Sequence, residues 1–380
     1  MKLGVFGDAE VHRNGKLIAV RFNAPHQVIS TCRVHGGLRD DLECVFNHQS
    51  CEPAGHMHKD LKTIVAEPER YHKGLCREYG LPELTASLGT AANMHHAAIE
   101  TCSFRDLSVT AICTGGVEGN AGRAGDPASV WEGEEGFEPL SAPGKEPPGT
   151  INMILLINRE LSHGAMVRSI VTATEAKSAV LQELAVSSRY SMGLATGTGT
   201  DQIAVACRRG GSRPLTSAGK HSKLGELIAC AVMGALRATL AGQNMLTPES
   251  QCSVYEHIRR FGASRERLME MIAARLADSD AMIFRRNFGG LDRDPMVVAA
   301  ACALVHLYDK YVWGVLADSC MGEIFVMQGA LFAAAVSHRQ ERLARYAQAL
   351  DGVPWGKDPE TFLDFITIVW ALGYADKWND

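Results

Sequence analysis

The chain has no basic run. Its 38 lysines and arginines are scattered among 43 acidic residues, for a net charge of −5. No basic stretch carries interleaved aromatics, which excludes a surface built to track a nucleic-acid backbone. It also has no CxxC. The eleven cysteines are odd in number and follow no spacing (Cys32, Cys44, Cys51, Cys76, Cys102, Cys113 and onward), so no disulfide framework is expected and a reducing cytoplasm is the expected setting. Long apolar runs are missing too: Met296 to Leu307 and Ile324 to Val336 fall short of the roughly 20 residues that cross a bilayer and are read as core helices. Charges interrupt the N-terminal MKLGVFGDAEVHRNGK within a few residues, so no secretion signal is expected there. There is no GxSxG elbow, no HExxH, no P-loop Lys-Ser/Thr and no helix-opening GxGxxG, which removes the serine hydrolases of that type, the zincins and the common nucleotide folds.

What is present is an ordinary globular composition, 46% hydrophobic and 21% charged over 380 residues, a length that suggests about two domains. Leu17 to Phe22 and Gln27 to Val34 read as strands split by Asn23-Ala24-Pro25. Leu107 to Thr114 reads as a buried strand running into GGVEGNAGRAGDP, residues 115–127. Five glycines in eleven residues let that backbone approach a ligand, and Asn120, Arg123 and Asp126 are its candidate binding groups. Residues 131–149, acidic and rich in Gly and Pro, are expected to be a loop or mobile insertion.

The stretch from Gly149 to Val232 alternates strand-like and helix-like runs, with polar residues at the handovers. A helix over about 163–184 packs through Met166, Ile170, Ala173, Val180, Leu181 and Leu184. Arg168, Thr172, Glu175 and Gln182 share another side, and Lys177, within the apolar face, either snorkels outward, which is the expectation, or is a partly buried amine. ATGTGTDQIAVA then sets Thr196, Thr198, Thr200 and Asp201 in a glycine-spaced turn before a strand. Such a turn can supply hydroxyls, backbone donors for an oxyanion, and a carboxylate as base or orienting group, or it can be a threonine-rich hairpin with no chemistry. Ser222 is a plausible N-cap of a second amphipathic helix packing through Leu224, Leu227, Ile228, Ala231 and Ala235, which leaves Lys220 and His221 just outside a helix N-terminus, where acid–base work is plausible. Asn47, His48, Cys51, Glu52, His56 and His58 match no metal-site spacing, and His95-His96 reads as helix-surface or core histidines, so no metal is expected.

GGVEGNAGRAGDP, GTINMILLIN, GAMVRSIVTATEAKSAVLQEL, ATGTGTDQIAVA and GKHSKLGELI, in that order, closely resemble the adenosylcobinamide amidohydrolase family of corrinoid salvage. The resemblance covers about residues 17–240 and is strongest from Ala111 onward. It implies hydrolysis of the amide joining aminopropanol to the corrin propionate of adenosylcobinamide, giving adenosylcobyric acid. It implies a cobalt-containing corrinoid as substrate, with no cofactor required. On these motif positions the catalytic candidates are Glu175, Asp201, His221 and Lys220, and the substrate-binding candidates are Asn120, Arg123, Asp126, Thr172, Thr196, Thr198 and Thr200. A water activated by Glu175 or Asp201 is the first choice of nucleophile and a threonine the second. Rival readings are a corrinoid carrier or sensor and an amidase for another substrate.

Beyond Gly242 the resemblance stops. Thr247-Pro248, Asp294-Pro295 and Asp358-Pro359 each put an N-cap residue before a proline at the first helical position. The expected architecture is therefore α+β: a layered sheet-and-helix domain over 1–243, then an all-helical domain over 244–380 that assists binding, regulation or homodimerisation. Trp313, Trp355 and Trp370 can flank a planar ligand, though core positions are commoner for tryptophan.

Overall fold

The computed structural model describes every residue except 52–63, 65, 135, 141–148, 212 and 379–380. Glu52, His56 and His58, and residues 141–148 of the acidic Gly/Pro segment, lie outside the described residues. The chain forms two compact units, Met1–Leu246 and Thr247–Asp380.

In chain order the strands of the first unit are β1 (Lys2–Phe6), β2 (Ala9–Asn14), β3 (Leu17–Phe22), β4 (His26–Ser30), β5 (Gly37–Arg39), β6 (Cys44–Gln49), β7 (Thr85–Thr90), β8 (Ala98–Phe104), β9 (Leu107–Gly115), β10 (Ala121–Gly122), β11 (Val130–Gly133), β12 (Gly136–Pro139), β13 (Ile151–Ile157), β14 (Gly197–Thr198) and β15 (Gln202–Arg208). Its helices are α1 (Pro68–Tyr79), α2 (His163–Glu183) and α3 (Lys223–Asn244). A five-stranded sheet runs β1-β2-β3-β6-β7 and a six-stranded sheet runs β5-β4-β15-β13-β9-β8.

Successive side chains of a strand point to opposite faces, and here the central strands of both sheets are covered on both faces, giving four layers. In β3, Leu17 and Ala19 pack with Phe46, Leu75 and Cys76 beneath α1, while Ile18 and Val20 join Val45, Leu88, Ile154 and Leu156 between the sheets. In β13, Ile151, Met153, Leu155 and Ile157 turn the other way, onto Met166, Val180, Ile228 and Leu236 of α2 and α3. Double coverage is why both strands read as unbroken apolar runs. Asn152, 1% exposed, is the polar exception on the inner face of β13.

Two expectations change. In the acidic segment Val130–Gly133 and Gly136–Pro139 pair as antiparallel strands, with Trp131 opposite Glu138, where a loop is expected. Lys177 does not snorkel: it is 7% exposed and pairs inside the unit, so the apolar face of α2 carries a buried charge.

The second unit is helical: α4 (Pro248–Gln251), α5 (Val254–Ile258), α6 (Arg265–Ala273), α7 (Asp278–Leu291), α8 (Pro295–Val312), α9 (Asp318–Ser337), α10 (Leu343–Leu350) and α11 (Pro359–Ala375). The side chains of Thr247, Asp294 and Asp358 cap α4, α8 and α11, each with proline in the first turn. Trp370 is fully buried in an aromatic core with Phe284, Phe288 and Phe332. Trp355 stacks on Phe325, and Trp313 is 43% exposed. α3 and α9 extend beyond the apolar runs apparent in the sequence and are long and apolar enough to cross a membrane, yet 56% and 50% of their most apolar windows is buried within the protein, as befits core helices.

Candidate functional site

β13 and β15 lie side by side and parallel, so both start at one end of the sheet, and β9, antiparallel to β13, ends there. Three polar segments therefore converge: Gly149-Thr150 before β13, Thr198-Gly199-Thr200-Asp201 before β15, and the loop after β9 that carries Asn120. The pairing of β10 with β14, Ala121 opposite Thr198, ties the glycine-rich loop to the threonine-rich turn. β7 of the other sheet reaches the same end: the Gly89 N–H donates to Gln202 Oε1 at 2.8 Å and Asn152 Nδ2 donates to the Gly89 carbonyl at 2.9 Å. A cleft of about 480 Å³ opens here, with Thr31, Arg33, His48, Ser50, Tyr71, Ser87, Asn120, Thr150, Thr200 and Asp201 in its walls.

Asp201 organises the turn. Its Oδ1 accepts from the Ile151 N–H at 3.0 Å and from Thr198 Oγ1 at 2.5 Å; its Oδ2 accepts from the Thr198 N–H at 3.1 Å and from Lys177 Nζ. Four donors use the carboxylate fully, which suits an orienting group better than a base. The pair also explains Gly197, where a Cβ would strike Asp201 Oδ2 and lie 2.7 Å from Lys177 Nζ.

Beside this pair an amide carbonyl is held between side-chain donors. The Gly149 oxygen accepts from Asn120 Nδ2 and from Thr200 Oγ1, each at 3.0 Å. Tyr190 donates its hydroxyl to Asn120 Oδ1 at 2.7 Å, which turns the amide N–H₂ toward Gly149. The Thr150 hydroxyl donates to the Thr200 carbonyl at 2.7 Å and lies 2.9 Å from Thr200 Oγ1. Thr150 and Asn120 are 3% and 8% exposed, so these bonds form in a low-dielectric floor where each is strong. Deeper in, Asn152 Nδ2 donates to Asn47 Oδ1 at 2.9 Å and Asn47 Nδ2 to Thr114 Oγ1 at 2.8 Å.

The structure thus brings together Asn120, Thr198, Thr200 and Asp201 from among the sequence candidates. It sets others apart. Glu175 and Lys220 form an exposed pair at 2.8 Å on the outer side of α2, and the Lys220 ammonium holds the Glu175 carboxyl below its usual range. His221 is exposed beside them. Since 175 and 177 are two helical positions apart, Glu175 faces away from the Lys177–Asp201 pair. Thr172 is buried and donates to the Ala218 carbonyl at 2.7 Å. Arg123 Nη1 donates to the Leu194 carbonyl, and Thr196 Oγ1 accepts from the Ala124 N–H. Burial raises the Asp126 carboxyl, but hydrogen bonds from Ser188, Ser191 and the Arg123 N–H outweigh it and hold the group below the usual range. These contacts fix the loop. Among the described residues no group of three or more His, Cys, Asp or Glu side chains gathers as a metal site would require.

Sequence reasoning missed Lys177 as a partner of Asp201, Thr150 as part of the floor, and the other wall. In that wall His48 Nδ1 sits 2.9 Å from the Tyr71 hydroxyl, and buried His72 lies 3.0 Å from Ser87 Oγ. Burial pushes His72 down to about 4. An apolar face with one lysine in it was the available signal for Lys177; nothing local marked Thr150.

Residues 2–248 match the sequence profile described as adenosylcobinamide amidohydrolase (CbiZ). An uncharacterized protein of Methanocaldococcus jannaschii is 33% identical over 240 residues, covering 61% of this chain and 88% of its own length. A protein of Halobacterium salinarum named adenosylcobinamide amidohydrolase is 29% identical, covering 52% of this chain and 80% of its own length. One of the same name from Methanosarcina mazei is 29% identical, covering 46% and 74%. Among solved structures, a protein from Pyrococcus horikoshii aligns at 11% identity with a TM-score of 0.29, covering 62% of this chain and 79% of that one, a likeness too slight to carry an argument.

Proposed function

Because the chain belongs to the adenosylcobinamide amidohydrolase family, we propose that it hydrolyses the amide between the corrin propionate and aminopropanol of adenosylcobinamide, releasing adenosylcobyric acid and aminopropanol. The observation that carries this reading is the cleft floor, where a carbonyl of an amide already lies between Asn120 Nδ2 and Thr200 Oγ1 at 3.0 Å from each. Amide hydrolysis needs donors at the point where negative charge develops on that oxygen, and preorganised neutral donors in a buried site are the strong form of that device. The corrin ring and its ligand remain at the cleft mouth in this reading, and only the aminopropanol arm enters. Cobalt belongs to the substrate, and the residues proposed here work without a resident cofactor. The Lys177–Asp201 pair keeps the Thr198–Asp201 turn, and with it Thr200, in register. Eleven cysteines with no disulfide among them fit the cytoplasmic setting we propose for a salvage enzyme.

The test is turnover of adenosylcobinamide followed by release of aminopropanol. The chain as it stands is expected to release it, and Asn120→Ala to lower kcat by about 10²–10³, the usual cost of one oxyanion donor. Tight corrinoid binding with no amine release would move the function to carriage or sensing.

A further inference from the structure

We infer that the chain cleaves its own Gly149–Thr150 peptide bond, and that Thr150, so freed, is the nucleophile of the hydrolysis. The first half rests on the hydrogen bonds that surround this peptide; the second rests on the function proposed above. The carbonyl between the two donors is that of Gly149, so the bond in the amide position is the one leading to Thr150. A threonine hydroxyl one residue after a polarised carbonyl is the arrangement for an N→O acyl shift. The hydroxyl sits within the same cluster, 2.9 Å from Thr200 Oγ1 and donating to the Thr200 carbonyl at 2.7 Å, so the residue that polarises the Gly149 carbonyl also orients the attacking group. Residue 149 is glycine for a reason of space: a Cβ there would come within 2.8 Å of the Gly116 carbonyl oxygen and 3.2 Å of Asn120 Cβ. Only glycine brings the carbonyl this close to Asn120.

The step balances with water as the sole co-reactant. Thr150 Oγ1 bonds to the Gly149 carbonyl carbon, the Gly149–Thr150 C–N bond breaks, and the hydroxyl proton goes to the departing nitrogen, leaving an ester and a free α-amine. Water then hydrolyses the ester, giving a carboxylate at Gly149 and restoring the Thr150 hydroxyl. What remains is a hydroxyl nucleophile with its own α-amine as base, whose ordinary pKa of about 7.7–8.0 suits work near neutrality. The Asp201 carboxylate, bonded to the N–H of the next residue, Ile151, fixes this new terminus. Withdrawal of Gly149 also resolves an obstacle, because Asn120 and Thr200 are occupied by the chain's own carbonyl until it leaves. The substrate amide then takes the place of the peptide amide, with the same atoms acting on it.

Intact-mass measurement and N-terminal sequencing of the purified full-length chain test this. Two fragments are expected, 1–149 and 150–380, the second beginning Thr150-Ile151-Asn152, and they are expected to elute together because β9 in one pairs with β13 in the other. Thr150→Ser should still cleave. Thr150→Ala should stay one chain with no turnover, its fold checked by circular dichroism, and Thr200→Val should slow cleavage about 100-fold. A wild-type chain that stays whole while releasing aminopropanol would overturn self-cleavage and leave the proposed function intact. Cleavage that persists in Thr150→Ala would assign the cut to another protease. Cleavage without any turnover would remove the catalytic role of Thr150 and count against the proposed function.

Discussion

Replacing Lys177 with methionine keeps its stem and removes its charge, taking the cation from Asp201 in a site where the Asp201 side chain is 14% exposed. Breaking a buried pair from one side costs about 3–5 kcal/mol. Asp201 keeps three other donors, the N–H groups of Ile151 and Thr198 and the Thr198 hydroxyl, so the lower end applies, about 3 kcal/mol. At about 1.4 kcal/mol per decade that is roughly a hundredfold faster amide exchange in β13 and β15. Hydrogen-exchange mass spectrometry reads those strands directly. Four of the five tryptophans, Trp313, Trp355, Trp370 and Trp378, lie in the second unit, so tryptophan fluorescence reports chiefly on that unit while exchange in β13 and β15 reports on the first. Adding Asp201→Asn to Lys177→Met should recover part of the loss, since the stranded charge is then gone. Exchange raised less than about threefold in the single variant would refute the claim that this pair holds the floor together.

Other consequences are equally direct. Glu175→Gln breaks only an exposed ion pair, so turnover of adenosylcobinamide should stay within about threefold of wild type; loss of turnover would move the chemistry to the outer face of α2. His72, held at about 4 by burial against an ordinary 6.5, takes up a proton on unfolding but not while folded. The stability it contributes is therefore present above about pH 6.5 and lost as pH falls toward 4; urea midpoints of wild type and His72→Gln across that range check the sign. In the second unit Arg260 Nη2 lies 2.7 Å and 2.6 Å from the two oxygens of Asp309, with side chains 2% and 10% exposed. Arg260→Met should cost about 3–5 kcal/mol and lower the tryptophan-detected melting temperature by at least about 10 °C.

The parts of the fold legible in the sequence are those set by local chemistry. Asp294 and Asp358 announce their helices because a cap side chain and a first-turn proline act within three residues of each other. β3, β9 and β13 announce themselves by length of apolar run, bounded by Asn, Pro and Gly. The paired strands Val130–Gly133 and Gly136–Pro139 were hidden because they are largely exposed and their acidic, glycine-rich composition looks like a loop. The site was half legible. Asn120, Thr198, Thr200 and Asp201 stand in glycine-rich segments whose spacing is suggestive alone. Their meeting depends on β13 and β15 running parallel and β9 ending beside them, a pairing no local pattern states. Glu175 attracted attention as a carboxylate on the polar stripe of its helix and Lys220 as an amine at a helix N-terminus, yet helical phase turns Glu175 outward and Lys177 inward. Thr150 drew none, since a threonine at a strand start is common and only its neighbours across 30 and 50 residues give it a role.

The central claim is hydrolysis at one amide of adenosylcobinamide, and the most direct measurement is mass spectrometry of the corrinoid product after reaction in ¹⁸O-labelled water. The account predicts adenosylcobyric acid carrying one ¹⁸O in its new carboxylate, formed in step with aminopropanol. Unchanged adenosylcobinamide after incubation with the intact protein, or a product with its aminopropanol arm still attached, would contradict it.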